Sequence, residues 1–390
     1  MQAIGIIAEY NPFHNGHKLH IEATKKQYPL PIIVAMSGSI MQRGEPAFAD
    51  KWLRARMAIL GGADLVLELP TAFSLRSAQY FAQGGVKLLA ATGLVTHLSC
   101  GAENSDFDYG NLARQMVSPE LQAKLRQHLA QGLSYAKACE LALGEGSALA
   151  YKPNNILALE YAKALIGTSI EQIIVPRKDK GYNSLELQEV ASASAIRKAY
   201  KEGSAWELAL PCQICELLKE NTASLGYDER LLWQLLKYRL YTSTTEEIAA
   251  VTECSEGLEN LLLAAAKAAS LSEALALCSQ KRYPTSRIRR LFLQLLLNKP
   301  RSYYEQSGPA YLRVLAFNNT GRRLLNTMKE TASLPVITKL GKNPAEGQGP
   351  AFVQQLELDL TASNLVALLR PEQQRSASDF LQSPYYDPNF

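Results

Sequence analysis

The chain opens with Ala3-Ile4-Gly5-Ile6-Ile7-Ala8-Glu9-Tyr10-Asn11-Pro12-Phe13-His14-Asn15-Gly16-His17, followed by Lys18-Leu19-His20-Ile21. The apolar run from Ala3 to Ala8 is typical of a strand buried on both faces of a parallel sheet. Asn11-Pro12 ends this strand, Asn15-Gly16 permits a tight turn, and a helix is predicted from His17. The free N–H groups of that helix start then lie above the carboxyl end of the strand, where they can bind a phosphate group.

Two histidines accompany this helix start with the spacing H-x-G-H. The ring N–H groups of His14 and His17 can donate hydrogen bonds to phosphate oxygens and stabilise the negative charge that grows on a departing pyrophosphate. The opening stretch therefore outlines a phosphate site, and ordinary surface histidines on a turn are the alternative interpretation.

Length and composition limit the class of protein. A chain of 390 residues with 47% hydrophobic and 20% charged residues is large enough for two globular domains. The formal net charge of +4 permits an anionic partner. No signal peptide and no apolar run of membrane-spanning length is evident, so a cytoplasmic location without a membrane partner is expected. The six cysteines are expected to be reduced, and Cys212-Gln213-Ile214-Cys215 lacks the second pair of a zinc site.

Strand and helix signals alternate through the first half of the chain. Further buried strands are predicted at 31–38, 63–70, 95–103 and 171–177, separated by helices, which indicates an α/β domain with a Rossmann-like parallel sheet over residues 1–204. Residues 111–144 are predicted to form covering helices without chemistry. From Trp206 the sequence becomes rich in leucines at helical spacing, so residues 205–390 are predicted to form an all-helical second domain. The turn at 318–321 is placed between helices, and the last eight residues are expected to be loosely ordered.

Several polar residues lie where these strands and helices end or begin. For each of them a ligand-binding role and a purely structural role are both open. Arg43 suits a carboxylate or phosphate, or forms a salt bridge to Glu45 or Asp50. Asp64 or Glu68 could hold a magnesium ion or a ribose hydroxyl, or cap a turn. Pro153-Asn154-Asn155 starts a helix in which either asparagine could be the cap. Arg177 ends a strand and can bind phosphate. Ser192, Ser194 and Arg197 at a helix start suit a triphosphate clamp, or are an N-cap and a surface arginine.

A basic stretch stands out in the second half. It runs Lys281-Arg282-Tyr283-Pro284-Thr285-Ser286-Arg287-Ile288-Arg289-Arg290, with further basic residues at 299–301, 313 and 322–323. Clustered Arg and Lys with interleaved Tyr suit phosphate contacts and base stacking on single-stranded RNA. A solvated helix face is the alternative interpretation.

The motifs together resemble a known family. H-x-G-H after a first strand is similar to the signature of the class I aminoacyl-tRNA synthetase and nucleotidyltransferase superfamily, and S-x-S-x-I-R at 192–197 is similar to its second element. The longer string A-E-Y-N-P-F-H-N-G-H, with Q-R-G-E-P at 42–46, P-N-N-x-L at 153–157 and the stretch K-R-Y-P-T-S-R-I-R-R, resembles the bacterial tRNA(Met) cytidine acetate ligases.

This resemblance implies a reaction. ATP, expected with Mg²⁺, would activate acetate as acetyl-adenylate, and the acetyl group would pass to N4 of the wobble cytidine, position 34, of elongator tRNA(Met), giving N4-acetylcytidine. No DNA partner is implied. Two alternatives stay open: a nucleotidyltransferase that adenylylates a small phosphorylated metabolite, and an RNA-binding protein with a vestigial nucleotide fold, against which the intact histidines and Arg197 argue.

The resemblance also implies site residues. His14, His17 and Arg197 would be catalytic. Contacts to ATP would come from Ile7, Ala8, Glu9, Tyr10, Asn11, Pro12, Phe13, His14, Asn15, Gly16, His17, His20, Gly101, Asn154, Asn155, Arg177, Ser194 and Arg197, with Asn155 favoured over Asn154 as the ligand. Contacts to RNA would come from Lys281, Arg282, Arg287, Arg289 and Arg290. No protein ligand for a metal is assigned.

Overall fold

The computed structural model describes residues 1–131, 135–143, 153–177, 191–255, 257–280, 283–372 and 378–389. The predicted RNA contacts Lys281 and Arg282 lie outside the described residues. Within them, no helix is long and apolar enough to cross a membrane.

One mostly parallel sheet organises the described chain. Its strands are β1 (Ala3–Ala8), β2 (Ile32–Ser37), β3 (Leu65–Leu69), β4 (Val95–Ala102), β5 (Glu171–Pro176), β6 (Leu312–Asn318), β7 (Val336–Ile337) and β8 (Tyr385–Asp387). The strand order is β5-β4-β1-β2-β3-β6-β7, with β8 also paired to β6, and β1 to β5 run parallel. The predicted α/β fold is therefore confirmed. Because the order reverses between β1 and β4, a crevice opens at the carboxyl ends of these two strands.

Helices connect and cover the strands. In the first part of the chain they are α1 (Asn15–Gln27), α2 (Lys51–Leu60), α3 (Thr71–Ser74), α4 (Ala78–Ala90), α5 (Tyr109–Val117), α6 (Pro119–Ala130), α7 (Tyr135–Leu143), α8 (Pro153–Leu165) and α9 (Ala193–Lys201). In the second part they are α10 (Cys212–Glu220), α11 (Glu229–Thr242), α12 (Thr245–Ala249), α13 (Leu258–Ala265), α14 (Leu271–Cys278), α15 (Thr285–Leu297), α16 (Asn319–Thr331), α17 (Pro350–Leu368) and α18 (Ser378–Leu381).

The sheet has a hydrophobic core on each face. In β1, Ile4 and Ile6 point into one core, whereas Ala3 and Ile7 point into the other. Alternating side chains that are all buried are what a strand covered by helices on both faces requires. Gly5 lies under a helix, because a Cβ there would stand 2.6 Å from Leu89 Cδ1. The continuous apolar run at the start of the chain is explained by this double burial.

The prediction of an all-helical second domain is corrected. The regular elements described within residues 205–311 are helices joined by loops, but β6 then returns to the first sheet and pairs antiparallel with β3. The predicted turn at 318–321 is the end of β6 and the start of α16, and the predicted loose tail contains β8, which pairs with β6. A strand that adds to the edge of a distant sheet gains its stability from non-local pairing, which local helical spacing does not show. The domain division at residue 204 stays a prediction.

A buried network of charges fixes this returning segment. Lys51 Nζ lies 2.8 Å from Glu68 Oε1 and 2.8 Å from Asp379 Oδ1, and Arg313 Nη2 lies 3.1 Å from Asp379 Oδ1. Both carboxylate oxygens of Glu68 are therefore paired with buried cations, which is a structural role. Asp64 is likewise engaged, since it accepts hydrogen bonds from Ile32 N and Asn318 Nδ2. Such paired buried charges hold the two parts of the chain together in one register.

Candidate nucleotide site

The opening loop carries the two histidines to the start of α1. His14 is the N-cap residue, and its backbone N–H donates to His17 Nδ1 at 3.2 Å. The two imidazole rings are stacked with centroids 3.6 Å apart. Because Nδ1 of His17 accepts a hydrogen bond, its proton is on Nε2, which is left as a donor. Nδ1 of His14 is buried and has no hydrogen-bond partner among the described residues. A buried polar atom of this kind is suited to contact a ligand.

These imidazoles are held in the neutral form. Burial, with a smaller contribution from the charge of Arg177, lowers the pKa of His14 to about 3 and that of His20 to about 4. Burial and the neighbouring His14 also lower the pKa of His17 well below its ordinary value. Each ring therefore offers one N–H donor near neutral pH and adds no positive charge.

The side chains of the opening loop divide between core and crevice. Ile7, Tyr10 and Phe13 are buried in the hydrophobic cores, so a ligand can meet only their backbone. The Tyr10 ring packs against Phe13 and His17, and its φ of +47° is a strained conformation for a non-glycine residue. Strain of this kind is concentrated at functional sites.

His20 is fixed to the neighbouring strand. Its Nε2 lies 2.9 Å from Ser99 Oγ on β4, and Thr24 Oγ1 lies 2.7 Å from the same hydroxyl. The second turn of α1 is thereby attached to the other wall of the crevice. The structure engages His20 in positioning α1, and a contact between its ring and ATP stays a prediction.

Gly101 and Arg177 meet at the end of β4. A Cβ on Gly101 would stand 2.9 Å from Arg177 Cγ, so the missing side chain leaves room for the arginine. Arg177 is exposed, and its Nη1 donates to Asn154 Oδ1 at 3.0 Å. The Arg177 guanidinium is thus held at this end of the sheet by a hydrogen bond to the uncharged side chain of Asn154.

The two asparagines have different surroundings. Asn155 is fully buried, and its Oδ1 accepts the backbone N–H groups of Glu103 and Asn104 at 2.9 and 3.3 Å. Asn154 is partly exposed and lies beside Arg177. The Oδ1 atom of Asn155 is therefore already engaged by backbone N–H groups, and a contact of either asparagine with ATP stays a prediction. Asn155 orders the loop after β4, whereas the Asn154 side chain is partly exposed and lies between Glu103 and Arg177.

Sequence reasoning missed Glu103, which organises this corner. Its Oε1 accepts from Asn154 Nδ2 at 2.6 Å, and its Oε2 accepts from Asn155 N at 3.0 Å. A carboxylate at the start of α8 also complements the positive end of that helix. Its position two residues after Gly101, in the loop that follows β4, was the feature of the sequence that could have indicated this role.

The opposite wall carries the second motif. Ser192 is the N-cap of α9, with Ala195 N donating to Ser192 Oγ, and Ser194 is exposed in the first turn. Arg197 Nη1 donates to the carbonyl of Asn11 at 2.8 Å, which joins α9 to the opening loop. The structure thus brings H-x-G-H and S-x-S-x-I-R together at the same edge of the sheet.

A second missed residue supports the opening loop from below. Arg54 is buried and donates to the carbonyls of Glu9 and Ser37, at 2.6 and 3.0 Å. Glu9 accepts from Gln42 N at 2.6 Å, so the loops after β1 and β2 are tied together. Burial raises the pKa of Glu9. Arg43 is exposed beside them, and Asp50 instead caps α2.

The basic stretch is divided by its helix into outward and inward residues. Arg289 is partly exposed, and Arg287 Nη2 donates to Glu253 O and to Ser255 Oγ. Arg290 is buried and pairs with Glu253, so it has no free face for a phosphate. The structure therefore gives Arg290 a packing contact, and its contact with RNA stays a prediction.

The tyrosines and the other basic residues of the second half differ in exposure and position. Tyr283 and Tyr304 are buried, whereas Tyr238 and Tyr241 on α11 are 70% and 65% exposed. Arg322 and Arg323 follow β6 and lie at the amino ends of the parallel strands, across the sheet from the crevice.

The described residues contain no group of three or more His, Cys, Asp or Glu side chains placed to hold a metal ion. All six cysteines are free thiols.

Known proteins match this chain over nearly its whole length. A sequence model of the HIGH nucleotidyl transferase family matches residues 1–379. The tRNA(Met) cytidine acetate ligase of a Thermoanaerobacter species is 36% identical over 404 residues, which cover 98% of each chain. The protein of the same name from Clostridium perfringens is 35% identical over 410 residues, covering 98% of this chain and 99% of the relative.

Solved structures agree with these sequences. The crystal structure of Thermotoga maritima TmcAL bound with alpha-thio ATP is similar with a TM-score of 0.91 and 32% identity, covering 99% of each chain. The apo form of the same protein has a TM-score of 0.91 and 31% identity.

Proposed function

Because this chain belongs to the tRNA(Met) cytidine acetate ligase family of HIGH nucleotidyltransferases, we propose that it activates acetate with ATP and transfers the acetyl group to a cytidine of tRNA(Met). The observation that carries the proposal is the pair of neutral, stacked histidines at the start of α1, in the crevice between β1 and β4. In finer terms, the acceptor is N4 of the wobble cytidine, position 34, of the elongator tRNA.

The first step joins two anions. A carboxylate oxygen of acetate attacks the α-phosphorus of ATP in line with the departing pyrophosphate, and the P–O bond to the β-phosphate breaks. The product, acetyl-adenylate, is a mixed anhydride. The exocyclic amine of cytidine then attacks its carbonyl carbon, the bond to AMP breaks, and the amine loses a proton. No covalent intermediate on the protein is needed.

The histidines would assist the first step as neutral donors. His14 and His17, together with the free N–H groups of α1, would donate hydrogen bonds to the α- and β-phosphates, where negative charge accumulates as pyrophosphate departs. Neutral rings keep a fixed donor without a proton equilibrium near physiological pH, since their pKa values are lowered by burial. Magnesium that accompanies ATP would be bound by phosphate oxygens and water.

The two walls would hold the ends of the nucleotide. Arg177 and Arg197, with Ser194, would bind the β- and γ-phosphates, because guanidinium groups pair well with phosphate. Asn154 would contact the nucleotide beside Arg177, and Gly101 would leave room for that arginine and for the close approach of backbone to nucleoside.

The acceptor would approach along the helices of the second part. Arg287 and Arg289 lie in the first two turns of α15, where the positive end of the helix adds to their charge. Tyr238 and Tyr241 offer exposed ring faces on the neighbouring α11. Phosphate contacts combined with stacking platforms are suited to an unpaired loop such as an anticodon.

The test is incubation of the purified protein with ATP, labelled acetate and bulk tRNA, followed by nucleoside analysis. We expect N4-acetylcytidine in the wild type, and none in His14→Ala, which should also lose acetate-dependent exchange of pyrophosphate into ATP while remaining folded and able to bind tRNA. If pyrophosphate exchange is unchanged in that variant, the role of His14 is refuted. If AMP is transferred to a phosphorylated metabolite and no acetylated nucleoside forms, the proposed function is refuted in favour of a metabolite nucleotidyltransferase.

A further inference from the structure

One carboxylate lies between the two arginines to which we assign different anions. Glu45 Oε2 is 3.0 Å from Arg197 Nη2, and Glu45 Oε1 is 3.4 Å from Arg289 Nη1. The three residues come from the loop after β2, from α9 and from α15. Their side chains are 21%, 24% and 25% exposed, so ligands can reach them.

The loop that carries Glu45 is fixed against α15. Gly44 has a φ of +77°, and a Cβ there would stand 2.5 Å from the backbone of Arg289 and Arg290. Within the loop, Met41 N donates to the carbonyl of Glu45 at 2.9 Å. Arg290 in turn is bound to Glu253, which also binds Arg76. Glu45 is therefore held at a defined position between α9 and α15.

From this geometry, and resting on the function proposed above, we propose that Glu45 is a shared counterion that makes binding of the ATP triphosphate and binding of RNA antagonistic. A single carboxylate carries one negative charge and cannot neutralise two guanidinium groups at once. When the triphosphate takes Arg197, Glu45 remains with Arg289 alone, and an RNA phosphate must then compete with a carboxylate for that arginine.

The coupling gives the reaction an order. With ATP bound, Arg289 is neutralised and RNA binds weakly. After the adenylate has formed and pyrophosphate has left, Arg197 again shares Glu45 with Arg289, so Arg289 is only partly neutralised and competes better for an RNA phosphate. Activated acetate is thereby formed before the acceptor is held, and coupling between two sites through a shared group is reciprocal. Glu45 acts as a positioning residue for both arginines.

The experiment measures the affinity of a tRNA(Met) transcript for the whole protein, alone, with an ATP analogue whose α,β bridge is a methylene group, and with AMP. In the wild type we expect the analogue to weaken RNA binding about fivefold, at the low end for coupled sites, and AMP to leave it unchanged. In Glu45→Gln, RNA should bind more tightly and the analogue should change its affinity less than about twofold. Glu45→Asp keeps the charge on a shorter side chain and should reduce the coupling without changing the net charge.

The matched control is Glu202→Gln, which removes the same charge from the exposed end of α9, where Glu202 pairs with Lys198 at 3.8 Å. This variant should retain the fivefold effect. An equal effect of the analogue in wild type and Glu45→Gln refutes the proposal, and so does an AMP effect as large as that of the analogue. If wild-type protein forms N4-acetylcytidine yet shows no coupling, only this inference falls; if it forms none, the proposed function falls with it.

Discussion

Acidification should destabilise the ligand-free protein, and His14 contributes a share that can be worked out. Burial holds the pKa of His14 at about 3, whereas the ordinary value, which applies to the unfolded chain, is 6.5. Below pH 6.5 the unfolded chain takes up a proton that the folded chain excludes. The stability that His14 contributes is therefore fully present above pH 6.5 and is lost progressively as the pH falls toward 3.

The magnitude follows from the difference in pH. A pH of 5 lies roughly 1.5 units below the pKa of the unfolded histidine. Each unit is worth about 1.4 kcal/mol, so His14 accounts for about 2 kcal/mol of lost stability. The folded ring stays almost wholly neutral at this pH. His14→Gln, which keeps a polar side chain but cannot titrate, should therefore lose about 2 kcal/mol less than the wild type between pH 8 and pH 5.

Two measurements check this prediction. The chain has five histidines, so the ring protons can be followed by NMR as the pH is lowered, and the signal that is missing in His14→Gln identifies His14. We expect that signal to keep its neutral chemical shift down to pH 5. Chemical unfolding at both pH values gives the stabilities. A His14 midpoint near 6.5, or an identical loss of stability in the two proteins, would refute the reasoning.

Three further predictions concern the crevice and its support. Gly101→Ala should leave the melting temperature unchanged but weaken ATP binding roughly tenfold or more, since the new Cβ displaces Arg177 and one charged hydrogen bond is worth about 1.5–3 kcal/mol; calorimetric titration with ATP checks this, and unchanged affinity contradicts it. Lys51→Met should lower the free energy of unfolding by about 3–5 kcal/mol, because Glu68 and Asp379 lose a buried partner, and an unchanged melting temperature would count against the network. Asn154→Ala should weaken ATP binding in a stable protein, whereas Asn155→Ala should cost about 1–3 kcal/mol of stability by leaving buried N–H groups unpaired; the opposite assignment of the two effects would overturn our reading of this pair.

The parts of the fold that the sequence revealed are those with strong local signals. The strand β1 is a short apolar run ended by a proline, and α2 over Lys51–Leu60 shows helical spacing closed by glycines, as the structure confirms. The strand β6 gave no such signal because Arg313 interrupts its apolar pattern. Its charge is neutralised by Glu68 and Asp379, which are distant in the chain, so the strand becomes recognisable only when its partners are in place.

The candidate site shows the same division. The two motifs at 14–17 and 192–197 were recognisable because each combines its chemistry with a helix start. The surroundings of Asn154 and Asn155 depend on how the loop after β4 folds back on α8, and the local amino-acid sequence does not determine that contact. Glu45 could be noticed only as a possible partner of Arg43, since its actual partners, Arg197 and Arg289, are remote in sequence.

The basic stretch shows why composition alone could not identify an RNA surface. Successive residues of a helix point about 100° apart, so Arg289 and Arg290 cannot both face the crevice. The structure turns Arg290 inward to Glu253 and leaves Arg289 partly exposed beside Glu45. The inward arginine packs α15 against Glu253, and the outward one exposes part of its charge. A substitution of both arginines together would therefore mix lost packing with the loss of the RNA contact proposed for Arg289.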